Sequence, residues 1–155
     1  QAALGCTAMV FTAGSGPHTG KDKTLLIDLD GAVKTMEAAR TIGLERYVMV
    51  SSFDTTREAI QESSSGFAPY VVAKHYADDW LRKSKLNWTI VHPGALTNEA
   101  STGLIQAASR VERNEISRED VAKVLLACLE DESTTFQEFQ VVKGDTPIHE
   151  AIKSL

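Results

Sequence analysis

The sequence predicts one α/β domain, and three observations lead there. Short apolar runs alternate along the whole chain with longer segments of helical period, the pattern of parallel strands joined by crossover helices. At 43% apolar and 24% charged residues the composition is that of a globular domain, which sets aside disordered, collagen-like and coiled-coil classes. At 155 residues there is room for one core and not for two complete domains.

The first strand is expected at Ala8 to Phe11, the second at Tyr47 to Val50, the third at Trp88 to Val91 and the last at Phe139 to Val142. The first three are nearly unbroken apolar runs, as strands buried on both faces require, and read as interior strands. Between the first two, Leu25, Leu29, Val33 and Met36 recur at helical spacing, and Gly43 stands where a left-handed cap would end the helix. After the second strand a polar loop, Thr55 to Ser65, leads into a helix from about Pro69 to Lys83, with Val72, Tyr76 and Trp80 at i, i+4 and i+8. Ser117 and Asp120 open a further helix whose stripe is Val121, Val124, Leu125, Cys128 and Leu129. Gly144 and Pro147 break the chain after the last strand, and a short helix from about Ile148 to Leu155 closes it.

Charge and cysteine usage narrow the function. The formal net charge is -5 and no basic run occurs, so nucleic acid is not an expected partner. Cys6 and Cys128 have no second ligand at metal-binding spacing, which argues against a disulfide framework or a zinc site and suits a reducing cytoplasm. No apolar stretch approaches the roughly 20 residues that span a bilayer, so no membrane anchor is expected. The N-terminus carries neither an initiator Met nor the pattern of a signal peptide, and reads as a start within a longer protein.

The most informative spacing is Tyr70-Val-Val-Ala-Lys74, because i and i+4 on a helix place phenol and ammonium on one face. A lysine cation beside a tyrosine favours phenolate and makes the phenol a usable general acid or base. The same spacing is also a common coincidence, and its position supplies the added weight. Tyr70 opens the helix that follows the strand ending in Ser51-Ser52, and open parallel sheets bind ligands beyond the carboxyl ends of their strands. Ser51 and Ser52 can equally be turn residues.

Taken together, Thr12-Ala13-Gly14-Ser15-Gly16, Ile27-Asp28-Leu29-Asp30-Gly31-Ala32, Val50-Ser51-Ser52, Tyr70 to Lys74, and His92-Pro93-Gly94-Ala95-Leu96-Thr97 resemble the short-chain dehydrogenase/reductase superfamily. The likeness is to its atypical, extended-like branch of small sugar-epimerase-like proteins, and it covers essentially the whole chain. It implies a Rossmann-like parallel sheet with flanking helices and NAD or NADP as cofactor. It implies Tyr70 as catalytic acid/base, Lys74 as the residue that tunes it and bonds the nicotinamide ribose, and Ser52 as the substrate-orienting hydroxyl. Ser51 would lie nearer the cofactor. Ala13 and Gly14 would form the turn against the adenosine side of the dinucleotide, and Pro93, Gly94 and Ala95 the loop beside the nicotinamide.

Departures from the family pattern shape the expectation. Asp28 stands where extended members usually carry Asn, replacing a donor by an acceptor. His92 stands where Arg is commoner, and a lone His ending a buried strand reads as structural. The chain after Gly94 is too short for a large substrate lobe. No glycine-rich phosphate turn with a selector roughly 20 residues on is found, so the chain is expected to be the C-terminal two-thirds of a single NAD(P)-binding domain, without its first three βα units. Such a piece would expose a sheet edge at Ala8 to Phe11 and form a homo-oligomer through it. The leading expectation is an NAD(P)-dependent oxidoreductase or epimerase-like enzyme acting on a small-molecule carbonyl or alcohol. The alternatives are a non-catalytic NAD(P)-binding regulatory or sensor protein, and a flavin or quinone reductase on the same fold.

Overall fold

The computed structural model describes residues 2–16 and 18–155. Two compact units divide the chain, one of Gln1–Tyr47 with Asp54–Asn87 and one of Val48–Phe53 with Trp88–Leu155. The first holds β1 (Ala8–Phe11), a short helix α1 (Lys21–Lys23) that runs through a π-helical turn (Thr24–Leu29) into α2 (Asp30–Thr41), the opening of β2 (Arg46–Val50), α3 (Arg57–Glu62) and α4 (Ala68–Arg82). The second holds the rest of β2, then β3 (Asn87–Pro93), β4 (Ala95–Thr97), β5 (Leu104–Ala108), β6 (Glu115–Ser117), α5 (Arg118–Glu130), β7 (Gln137–Lys143), β8 (Thr146–Pro147) and α6 (Ile148–Lys153). The class is α/β with a mostly parallel central sheet, as the sequence predicts.

In the first unit β1 is the neighbour of β2; in the second the order runs on as β2-β3-β7-β5-β8. β2 and β3 run the same way, since the Asn87 amide donates to the Glu45 carbonyl near their starts and the Ser51 amide to the Val91 carbonyl near their ends. β7 pairs parallel with β3, Val91 opposite Phe139, and antiparallel with β5, Ala107 opposite Val141. Tyr47, Val48, Met49, Ile90, Val91, Phe139 and Val141 are all buried, so these strands bury both faces as their apolar runs require. β4 and β6 make a separate parallel pair.

Four readings from the sequence are corrected here. β1 is the terminal strand of the order, not interior as its apolar run suggests but the sheet edge expected at Ala8 to Phe11, and Val10 is 39% exposed. The helical stripe between the first two strands is displaced by one position over its first three members: Thr24, Asp28 and Ala32 are buried in place of Leu25, Leu29 and Val33, with Leu25 exposed, whereas Met36 is buried as expected. On α4 the inward residues are Val71, Ala73, Lys74, Ala77, Asp78 and Leu81, and Tyr76 and Trp80 face outward. The physical reason is the same for both helices. Small Ala side chains let helices approach closely, and an ion pair fills the space between them, so the larger apolar stripe is left outside. The loop from Thr55 to Ser65 contains α3, whose first turn is capped by the Thr56 hydroxyl accepting from the Ala59 amide at 3.1 Å.

The helix opened by Ser117 forms as expected and supplies the second unit's inner face with Val121, Val124, Leu125 and Cys128. Gly43, at φ 73°, ends α2 in the left-handed conformation the sequence predicts. At the start of α5 the buried Asp120 carboxylate accepts from the Ser101 hydroxyl (2.6 Å), the Thr102 amide (3.0 Å), the Gly103 amide (2.9 Å) and the Ser117 hydroxyl (2.8 Å). Burial alone would push its pKa up; these donors outweigh that and hold the carboxyl down at about 2. Neither Cys6 nor Cys128 forms a disulfide, and among the described residues no helix is long and apolar enough to cross a membrane.

Candidate functional site

In the first unit the turn after β1 leads from exposed Ala13 and Gly14 to Ser15, whose amide donates to Asp28 Oδ2 at 3.0 Å. The Ser15 and Thr24 hydroxyls share a hydrogen bond at 3.3 Å, which fixes the turn on the π-helical segment. Asp28 is fully buried there, and its Oδ1 lies 3.3 Å from Lys74 Nζ on α4, a lysine whose side chain is 6% exposed. The contact has ion-pair distance without hydrogen-bond alignment, since Oδ1 has no hydrogen-bond donor.

Lys74 Nζ also stands 5.8 Å from the Tyr70 ring centroid and 6.0 Å from that of Phe11. Tyr70 is half-buried on the first turn of α4, its ring tilted against Phe67 with centroids 5.2 Å apart. The expected juxtaposition of Tyr70 and Lys74 is therefore present, with a buried carboxylate added as a third member. Asp28 stood out in the sequence as a departure from the family pattern. Its direct pairing with Lys74 is a tertiary contact between residues 46 positions apart, which no local spacing signals.

In the second unit Ser51 and Ser52 lie at the carboxyl end of β2, Ser51 buried and Ser52 half-buried. The segment is held by side chains from two neighbouring strands. His92 Nδ1 donates to the Ser52 carbonyl at 2.5 Å while its Nε2 faces Glu138 Oε1 at 2.8 Å. Gln140 Nε2 donates to the Phe53 carbonyl at 2.8 Å, and Gln140 Oε1 accepts from the Val111 amide at 2.9 Å. Over the Phe53 ring lies the Arg113 guanidinium, 4.5 Å from the centroid. The structural reading of His92 fits this placement, because the ring supports the backbone of Ser52. Phe53, Arg113, Glu138 and Gln140 were missed; the polar residues Glu138 and Gln140 flanking Phe139 in a buried strand are the signal that could have found two of them.

Pro93 ends β3, and Gly94 follows in a turn held by the Gly94 amide on the Val141 carbonyl (2.9 Å) and the Ala95 amide on the Asn114 carbonyl (3.1 Å). A Cβ at Gly94 would lie 2.0 Å from the Asn114 oxygen, so no other residue fits. Pro93 and Gly94 are buried and Ala95 is exposed. The predicted site residues thus fall into two groups: Ala13, Gly14, Tyr70 and Lys74 in the first unit, and Ser51, Ser52, Pro93, Gly94 and Ala95 in the second.

Residues 1–132 match the profile of a family described as NAD(P)H-binding. Over 155 aligned residues the chain is 52% identical to an uncharacterized sugar epimerase, YhfK, of Bacillus subtilis (strain 168), covering 99% of this chain and 71% of that protein. A solved structure from Bacillus halodurans, assigned by name to the NAD-dependent epimerases/dehydratases, is 44% identical with a TM-score of 0.94 and covers 99% of this chain and 72% of that one. The oxidoreductase ylbE of Lactococcus lactis is 31% identical with a TM-score of 0.89, covering 99% of this chain and 69% of that one.

The residues present suit a nicotinamide dinucleotide. The Ala13–Gly14 backbone is open to close approach by a flat ligand, and a Cβ added at Gly14 would stand 3.1 Å from Asp28 Oδ1. Lys74 offers an ammonium suited to ribose hydroxyls.

Proposed function

The chain belongs to this NAD(P)H-binding, oxidoreductase/epimerase-like family, and from that premise we propose that it is an NAD(P)-dependent enzyme in which Tyr70 moves a proton to or from the oxygen of a small carbonyl or alcohol substrate. When bound, the nicotinamide supplies or accepts the hydride. In the first unit Lys74 would bond the ribose and fix the position of the Tyr70 phenol, with the Ala13–Gly14 turn beside the dinucleotide. The observation that carries the reading is the buried Lys74 ammonium set 5.8 Å from the Tyr70 ring.

The test is Tyr70→Phe in the full-length protein, assayed with NADH and NADPH against a panel of carbonyl compounds. General acid catalysis is worth about 10²- to 10⁴-fold, so turnover falls by that factor while cofactor affinity, read by calorimetry, stays the same. Unchanged turnover would overturn the acid/base assignment. One observation favours a second reading, a dinucleotide-binding sensor or a flavin or quinone reductase that needs no protein acid. Lys74 Nζ lies 3.3 Å from the buried Asp28 carboxylate, so the lysine is committed to an ion pair as well as standing by Tyr70. Flavin and quinone arms in the same assay separate these readings.

A further inference from the structure

A buried lysine beside a tyrosine ordinarily draws the phenol toward phenolate, because an opposite charge within about 4–6 Å shifts a pKa by 1–3. Here that lysine is not a lone charge. Asp28 Oδ1 is 3.3 Å from Lys74 Nζ, closer than the ammonium is to the Tyr70 ring, and Asp28 is wholly buried, so solvent does little to screen the pair. The carboxylate is itself oriented by the Ser15 amide on Oδ2, which leaves Oδ1 turned to the lysine.

Among the described residues, the other charged groups on the elements packed here are exposed or engaged elsewhere: on α1, Lys21 Nζ donates to the Ser65 carbonyl, and Asp22 and Lys23 are exposed. Asp28 is the one titratable residue of the π-helical turn, and β1 has none. On α2, Asp30 and Lys34 pair with each other at 2.5 Å, and Glu37 and Arg40 are exposed. On α3, Arg57 lies over the Tyr76 ring, and Glu58 and Glu62 are exposed. On α4 itself, the Thr55 hydroxyl donates to Asp78 Oδ2 at 2.6 Å, and His75 Nδ1 is 2.6 Å from the Thr55 carbonyl.

We propose that Asp28 is a positioning residue that cancels the Lys74 charge at Tyr70, so that Tyr70 remains a protonated phenol, a proton donor and not a resting phenolate, across neutral pH. Lys74 keeps its place and its hydrogen-bonding capacity, while its electrostatic pull on the phenol is spent on Asp28. The inference deepens the reading of Tyr70 as the acid and rests on it for its consequence in turnover, but Tyr70 titrates whether or not the protein turns over.

The experiment is an ultraviolet titration of tyrosinate in the full-length protein, with the Tyr70→Phe curve subtracted to isolate Tyr70, beside the pH profile of kcat/KM for carbonyl reduction. In the wild-type protein the Tyr70 midpoint is expected at or above the ordinary phenol value of about 10; a midpoint below about 9 overturns the proposal without needing any variant. Asp28→Asn, which unmasks the lysine, moves the midpoint down by at least one pH unit, and Asp28→Glu, which keeps the charge, restores it. The alkaline limb of the profile follows, so at the wild-type half-maximal pH the Asn variant shows about fivefold less activity relative to its own plateau. A purely structural role would scale the profile without displacing it, and superimposable scaled profiles with unmoved titrations overturn the inference. If the titration moves and the activity limb does not, Asp28 acts as proposed and the acid assignment of Tyr70 fails instead.

Discussion

Lowering the pH tests the Asp120 cluster directly, because its magnitude follows from the structure. Four donors converge on a carboxylate that is 1% exposed, and its pKa is about 2 instead of the ordinary 3.8. A folded-state value below the unfolded one means that the unfolded chain takes up the proton first. The stabilisation is therefore complete above about pH 5, shrinks as the pH falls through the unfolded value, and is gone below about pH 2. At 1.36 kcal/mol per pH unit the difference amounts to about 2 kcal/mol. Asp120→Asn is nearly isosteric but turns an amide NH₂ toward two of the donors, so near neutral pH it costs about 2–3 kcal/mol, or roughly 4–12 °C in Tm for a chain of this size. Urea unfolding of both proteins between pH 7 and pH 2, followed by circular dichroism, gives the difference at each pH. It should narrow to under about 1 kcal/mol at pH 2, where the native aspartic acid has also lost its charge. A difference that stays constant with pH would refute the assignment of the low pKa to this carboxylate.

Two further outcomes follow from the first unit. Lys74→Met strands the buried Asp28 carboxylate with one hydrogen bond, from the Ser15 amide, and should cost about 3–5 kcal/mol in the same unfolding assay; adding Asp28→Asn should recover much of that, and a single-variant cost under about 1 kcal/mol would show that the pair is not buried as described. The 155-residue chain is expected to self-associate through β1, the terminal strand, where Val10 is exposed. Light scattering that shows a stable monomer would contradict this.

The class and most elements were legible because they depend on near neighbours. Nearly unbroken apolar runs at β2 and β3, the mixed run at β7, the Ser117 cap and the Gly43 stop are local signals, and each appears where the sequence places it. β5 was not legible as a strand: its Leu-Ile-Gln-Ala-Ala run is weakly patterned and is organised by antiparallel pairing with β7, more than thirty residues later. At the candidate site, the proximity of Tyr70 and Lys74 was legible from an i, i+4 spacing.

What the sequence determined by itself is thus the set of segments that can be strands or helices and the residue types able to do proton chemistry, since period, capping and side-chain inventory are properties of short windows. Which helix face turns inward was decided only by the tertiary structure. Apolar stripes through Leu25 and through Tyr76 and Trp80 were outcompeted by faces of small residues that close around Asp28 and Lys74. The same holds for the hold of His92 and Gln140 on the segment after Ser51. A buried ion pair or a side-chain clamp is stabilised by exclusion of water and by partners brought from distant segments, and both come into being only when the chain has packed.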